Sequence, residues 1–133
     1  MLYNEHGTFT LEIKNNILYL DACGPFNDEL GEAYVTQMKA MILKHKPQAQ
    51  ITFLHNSILL SPQIEEGVKN LCQFASTQGL RYEAIILDKN SVGKKLFHIQ
   101  LERIISGIDY TNQFFDSKEE ALLWIDSLNL SES

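Results

Sequence analysis

One segment constrains this chain more than any other. Tyr82-Glu83-Ala84-Ile85-Ile86-Leu87 is a nearly continuous apolar run. A run of this kind suits a central strand covered on both faces. The rest of the chain must then supply its neighbours and its cover.

The segments around it do so in regular alternation. Thr8–Lys14 alternates with period two and places Phe9, Leu11 and Ile13 on one face. Asn15-Asn16 is a turn pair, because Asn tolerates the left-handed backbone of a tight hairpin. Ile17–Cys23 is the return strand, ended by Gly24-Pro25. Asn27 reads as a helix cap, with Asp28 and Glu29 where the helix dipole favours anions. That helix runs to about Lys44 on a stripe of Leu30, Ala33, Tyr34, Met38, Met41 and Ile42, and Pro47 stops it. Gln50–Leu54 is a short strand. A second helix begins at Ser61-Pro62, buries Ile64, Val68, Leu71, Cys72 and Ala75, and stops at Gly79. A third helix spans about Ser91 to Ser106. Asn112–Phe115 is a last strand. Ser117-Lys118-Glu119-Glu120 has the form of a capping box and opens a fourth helix that buries Ala121, Leu122, Ile125 and Leu128, with Trp124 beside them.

The order is β-β-α-β-α-β-α-β-α. The hairpin is antiparallel, and each later strand is reached through a helix, which implies parallel neighbours. The expected fold is α/β with a mixed sheet, helices mainly on one face and the first strand at an antiparallel edge. Residues 1–133 read as a single domain, with 131–133 as a frayed tail.

Charge and composition remove several classes of function. A net charge of −6 opposes contact with a phosphate backbone, so no nucleic-acid partner is expected. Cys23 and Cys72 stand in no CxxC or Cys/His cluster and read as reduced, buried thiols. The four histidines lack paired ligand spacing, so neither a metal nor another cofactor is expected. No apolar run reaches the length of a membrane span, and residues 1–7 lack a secretory pattern. The expected location is the cytoplasm, with the inner membrane face as a peripheral alternative. His55, Ser57 or Ser61, and Asp88 are the residue types of a nucleophilic triad, but no Gly-x-Ser-x-Gly elbow accompanies them. The expectation is a protein that is not an enzyme.

Three stretches carry a likeness to a known family: Gly24-Pro25-Phe26-Asn27 between hairpin and first helix, Ala84-Ile85-Ile86-Leu87-Asp88, and Phe115-Asp116-Ser117-Lys118-Glu119-Glu120-Ala121-Leu122-Leu123-Trp124-Ile125. With the element order, they resemble the STAS-type family related to sporulation protein SpoIIAA, and most of all its SpoIIAA-like branch. The resemblance implies a small bacterial module without catalysis. Typical STAS members antagonise anti-sigma factors and are switched by phosphorylation of a serine in an Asp-Ser-Ser-Gly motif at the start of the second helix. The matching stretch here is Ser61-Pro62-Gln63-Ile64, which puts Pro62 or Gln63 in the place of that serine and leaves Ser61 as the candidate phosphorylation site. The SpoIIAA-like branch is also similar in shape to CRAL-TRIO lipid-binding domains, which implies an apolar or lipid-like ligand.

The third helix and the strand-end loops supply the candidate residues. At 100° per residue, Phe97, Leu101, Ile104, Ile105 and Ile108 gather on one side of the helix, and Val92, Leu96 and Ile99 on the other. The wider stripe should face the core. The narrower one then needs a second partner: a loop, another subunit, an apolar ligand or a membrane reached with Lys94 and Lys95. Ligands of open α/β sheets bind outside the carboxyl ends of the strands. A ligand site is therefore expected from Asn56, Ser57 and Leu59 after the third strand, Asp88 and Ser91 after the fourth, and Leu96 and Ile99. Val92, Lys94, Lys95 and Leu96 are the expected contact with a membrane or partner. The leading expectation is a binding module for a small apolar or lipid-like molecule. The alternatives are a protein-interaction regulator without the phosphoserine switch, and a homodimer joined through the apolar helix face.

Overall fold

The computed structural model describes residues 7–130. Residues 1–6, where no secretory pattern is expected, and residues 131–133, expected as a frayed tail, lie outside the described residues. Strands β1 (Thr8–Lys14) and β2 (Ile17–Cys23) form the expected hairpin. Asn15 and Asn16 both take positive φ, 51° and 65°, as the twist of a two-residue turn demands. Helix α1 (Asp28–His45) starts on Asn27, whose side chain accepts from the Leu30 N–H at 2.8 Å. It ends where Lys46 enters the left-handed region, one residue before Pro47. Then follow β3 (Ala49–His55), α2 (Pro62–Thr77), β4 (Tyr82–Leu87), α3 (Lys94–Ile105), β5 (Thr111–Phe115) and α4 (Lys118–Ser127).

The sheet runs β1-β2-β3-β4-β5, with β1 antiparallel and the other pairings parallel. Helices α1, α2 and α3 share one face. There Leu18, Leu20 and Ala22 of β2, Leu54 of β3 and Ile85 of β4 meet Met38, Ile42, Leu71, Cys72, Phe97 and Leu101. Among the described residues, helix α4 alone covers the other face, through Ala121 and Ile125 on Ala49, Ile51 and Ala84. The apolar run of β4 is thus explained: Ala84 points to α4 and Ile85 to the other three helices. Ser117 caps α4 by accepting from the Glu120 N–H at 3.2 Å, and the Glu120 carboxylate accepts from the Ser117 hydroxyl at 3.3 Å.

Helix α3 starts three residues later than the pattern suggests. Ser91 turns inward, and its hydroxyl donates to the Leu54 carbonyl at 3.3 Å. The Val92 N–H donates to the Asn56 carbonyl at 3.0 Å, and Val92 bridges Ser57 as in a parallel sheet. Residues 91–92 therefore prolong the β3–β4 pairing before the helix begins at Gly93, which offers no capping side chain. Gly24, at the end of β2, also lies against the loop after β3: a Cβ there would sit 1.6 Å from the Ser57 carbonyl oxygen. Only glycine allows this approach.

Candidate functional site

The strand register assembles a polar row that the linear sequence disperses. Gln50 of β3 lies beside Glu83 of β4, and Glu83 beside Asn112 of β5. All three face α1–α3, on the side that β2 fills with Leu18 and Leu20. Glu83 gathers the hydrogen bonds. The Thr52 hydroxyl donates to its Oε2 at 2.6 Å, the Gln50 amide donates to the same oxygen at 3.3 Å, and the Tyr110 hydroxyl donates to Oε1 at 2.9 Å. Gln50 Nε2 also donates to Thr52 Oγ1 at 2.9 Å and its side chain hydrogen-bonds Tyr34. Gln50 and Thr52 are both 2% exposed.

This row floors a cavity of about 110 Å³ between the sheet and helices α1–α3. Its walls are apolar: Phe9 and Leu20 from the hairpin, Phe26, Leu30, Tyr34 and Met38 from α1 and its approach, Leu60, Ile64, Val68 and Leu71 from α2 and its approach, and Phe97, Leu101 and Ile105 from α3. Glu83 lies deep yet keeps some accessible surface, because it borders this space. Asn112 also lines it, and its buried Nδ2 finds no hydrogen-bond partner among the described residues.

Electrostatics follow from the enclosure. Burial pushes the Glu83 carboxyl above its ordinary 4.5, while the Thr52 and Tyr110 hydrogen bonds pull it back. The Tyr34 and Tyr110 hydroxyls and the Cys72 thiol are pushed up too, first by burial and then by the charge of Glu83. No cationic side chain among the described residues pairs with Glu83. No group of three or more His, Cys, Asp or Glu among them could hold a metal ion.

The residues singled out from sequence lie elsewhere. None of Asn56, Ser57, Leu59, Asp88, Ser91, Leu96 and Ile99 lines the cavity, which sits beneath the helices and not outside the strand ends. Phe97, Leu101 and Ile104 are buried as their stripe requires, while Val92, Leu96 and Ile99 are 63%, 49% and 53% exposed. Beside them, Lys95 is exposed and Lys94 turns back to donate to the Lys89 carbonyl at 3.2 Å. Leu59 packs under Gly93, and its neighbour Leu60 reaches the cavity.

His55 and Asp88 do meet, at 3.3 Å through Nδ1, but the other ring nitrogen faces Asp21 at 3.1 Å. The His55 hydrogen bond, followed by that of the Asn90 N–H, holds Asp88 below the usual carboxylate range. With both nitrogens turned to carboxylates, the ring has none directed at a serine. The Ser61 hydroxyl is engaged as well, donating to Asp28 and accepting from the Ile64 N–H at 3.1 Å.

Neither a protein-family model nor a curated protein matches the sequence. Among solved structures, the chain is similar to an uncharacterised protein of the DUF3478 family with a SpoIIAA-like fold from Shewanella loihica. The two share 19% identity at a TM-score of 0.59, over 93% of this chain and 98% of the other. The fold is SpoIIAA-like. In this fold the start of α2 is a capped helix end: Ser61 is the N-cap, and Pro62 occupies the first turn. The polar row was the feature that sequence reasoning missed. Its signal was Gln50-x-Thr52 at period two, together with a lone Glu83 inside the apolar run of β4.

Proposed function

We propose that this SpoIIAA-like domain is a binding module without catalysis whose cavity takes a small, mostly apolar ligand. One observation carries the reading: an apolar-walled cavity is kept open over an organised polar floor. Protein interiors are ordinarily close-packed. Leaving a space of about 110 Å³ between sheet and helices forfeits the packing contacts that a filled core would make. A ligand that fills it recovers dispersion contacts and removes apolar surface from water. The polar floor gives such a ligand an orientation, since a few placed hydrogen-bonding groups in an apolar pocket set specificity.

The test is thermal unfolding with and without a small aromatic such as toluene. Binding to the native state alone raises the midpoint by mass action, by about 2.7 kcal/mol of stability at a hundredfold excess over Kd. Val68→Phe places a ring in the cavity. The expected result is a raised midpoint for the wild type and no response from a folded Val68→Phe variant. An unresponsive wild type, or an equal response from the filled variant, would overturn the reading.

A second reading rests on the outer face of α3. Val92, Leu96 and Ile99 stand exposed beside Lys95 on a chain of net charge −6. The exposed apolar stripe and Lys95 support peripheral association with a membrane surface, and the net charge of −6 works against it where the lipid is anionic. No helix among the described residues is long and apolar enough to cross a membrane, so such contact would be from one side. A protein-interaction regulator without a phosphoserine switch, or a homodimer, would use the same face for a protein partner.

A further inference from the structure

We infer that the cavity selects a compact amine, bound as its ammonium with the nitrogen at Glu83, over an alcohol or a carboxylate of the same shape. The inference rests on the reading that the cavity holds a ligand, and adds the ligand's chemical class.

The geometry begins with hydrogen-bond arithmetic. A carboxylate offers about four acceptor sites. Three are taken, by Thr52, Gln50 and Tyr110. All three donors are neutral, so the carboxylate is held in place but its charge is not balanced. Within an apolar setting that imbalance is costly, and it is relieved either by taking up a proton or by a counter-charge. No cationic side chain among the described residues lines the cavity, so where Glu83 is ionised a ligand that brings the counter-charge is favoured. A carboxylate ligand would meet Glu83 as a like charge. A hydroxyl could use the vacant acceptor site without balancing the charge. An ammonium does both.

The walls point the same way. Tyr34, Phe97 and Tyr110 line the same space, and the negative faces of aromatic rings attract cations. Size limits the rest of the molecule. An enclosed cavity of roughly 150 Å³ accommodates benzene; this space, about 110 Å³ and open toward solvent, limits the ligand to a short alkyl body or a single ring that reaches into the mouth. Benzylamine has this form: one ring, one methylene and one ammonium.

The experiment compares toluene, benzyl alcohol, benzylamine and benzoate by calorimetric titration into the full chain. It is run in neutral and in mildly acidic buffer, and repeated with Glu83→Gln. In neutral buffer, benzylamine should bind roughly tenfold or more tightly than benzyl alcohol, as a charge-assisted hydrogen bond allows, and benzoate weakest. In the acidic buffer the amine preference should shrink as Glu83 takes up a proton, with benzyl alcohol unaffected. Glu83→Gln should erase the preference in both buffers and still bind benzyl alcohol. Equal or tighter binding of the alcohol or benzoate in neutral buffer overturns the selection for an amine and leaves the cavity reading standing. So does an amine preference that survives Glu83→Gln. Failure of all four ligands overturns the cavity reading itself. Circular dichroism establishes whether Glu83→Gln folds; if it does not, the rank order and pH response of the wild type decide.

Discussion

At the scale of the residue, Glu83 is held by three neutral donors against a cavity, and its titration should be visible in the stability of the whole chain. Unfolded, its carboxyl titrates near 4.5; folded, burial places it higher. Between the two values the native state keeps a proton that the unfolded state has released. The stability it contributes is therefore complete below 4.5 and is lost as pH rises through the folded value, at about 1.4 kcal/mol per unit of displacement. Glu83→Gln removes the titration. In urea melts across the acid-to-neutral range, the wild type should lose stability relative to Glu83→Gln as pH rises. A difference independent of pH would count against a displaced Glu83. The sequence hid this residue for a physical reason. Polar residues at period two ordinarily mark the wet face of a strand, and Gln50 and Thr52 fit that pattern. Only the register, which sets Gln50 and Asn112 on either side of Glu83, turns three scattered side chains into one floor.

At the scale of the element, the two faces of α3 were legible because helical periodicity is a local property. The stripe of Phe97, Leu101 and Ile104 lies inside, and Val92, Leu96 and Ile99 lie outside. The start of the helix was less legible, because Ser91 and Val92 answer to Leu54 and Asn56, partners more than thirty residues away. Buried Gln100 fastens α3 to the loop before α2: the Leu60 N–H donates to its Oε1 at 3.1 Å, and its Nε2 donates to the Leu60 carbonyl at 2.8 Å. Gln100→Leu leaves a side chain of similar length and strands both backbone groups. The expected cost is about 2 kcal/mol, since buried unpaired groups cost roughly 1–3 kcal/mol. It should appear as a lower midpoint in denaturant with an unchanged slope. Because Leu60 lines the cavity, toluene should also stabilise this variant less than the wild type. An unaltered midpoint would show that the clasp contributes nothing. The Arg103–Glu65 pair, with both contacts at 2.8 Å, also joins α3 to α2, but with Arg103 mostly exposed solvent screens it and its contribution should be small.

At the scale of the whole molecule, element order and helix placement followed from sequence, since alternating strands and helices allow few arrangements. The cavity did not, because a space between three helices leaves no trace in periodicity. The exposed apolar face of α3 yields a test on the intact domain. Leu96→Asp together with Ile99→Asp should weaken co-sedimentation with anionic vesicles severalfold and leave the unfolding midpoint within about 0.5 kcal/mol, as for exposed positions generally. If the wild type does not sediment with vesicles, the membrane reading falls. If instead light scattering finds a dimer that the double substitution dissociates, the face joins two copies of the chain. The arrangement of the strands has its own consequence for biogenesis. They lie side by side in the order in which a ribosome makes them. Each newly emerged strand finds its neighbour already synthesised, and none must be threaded later between two that came before.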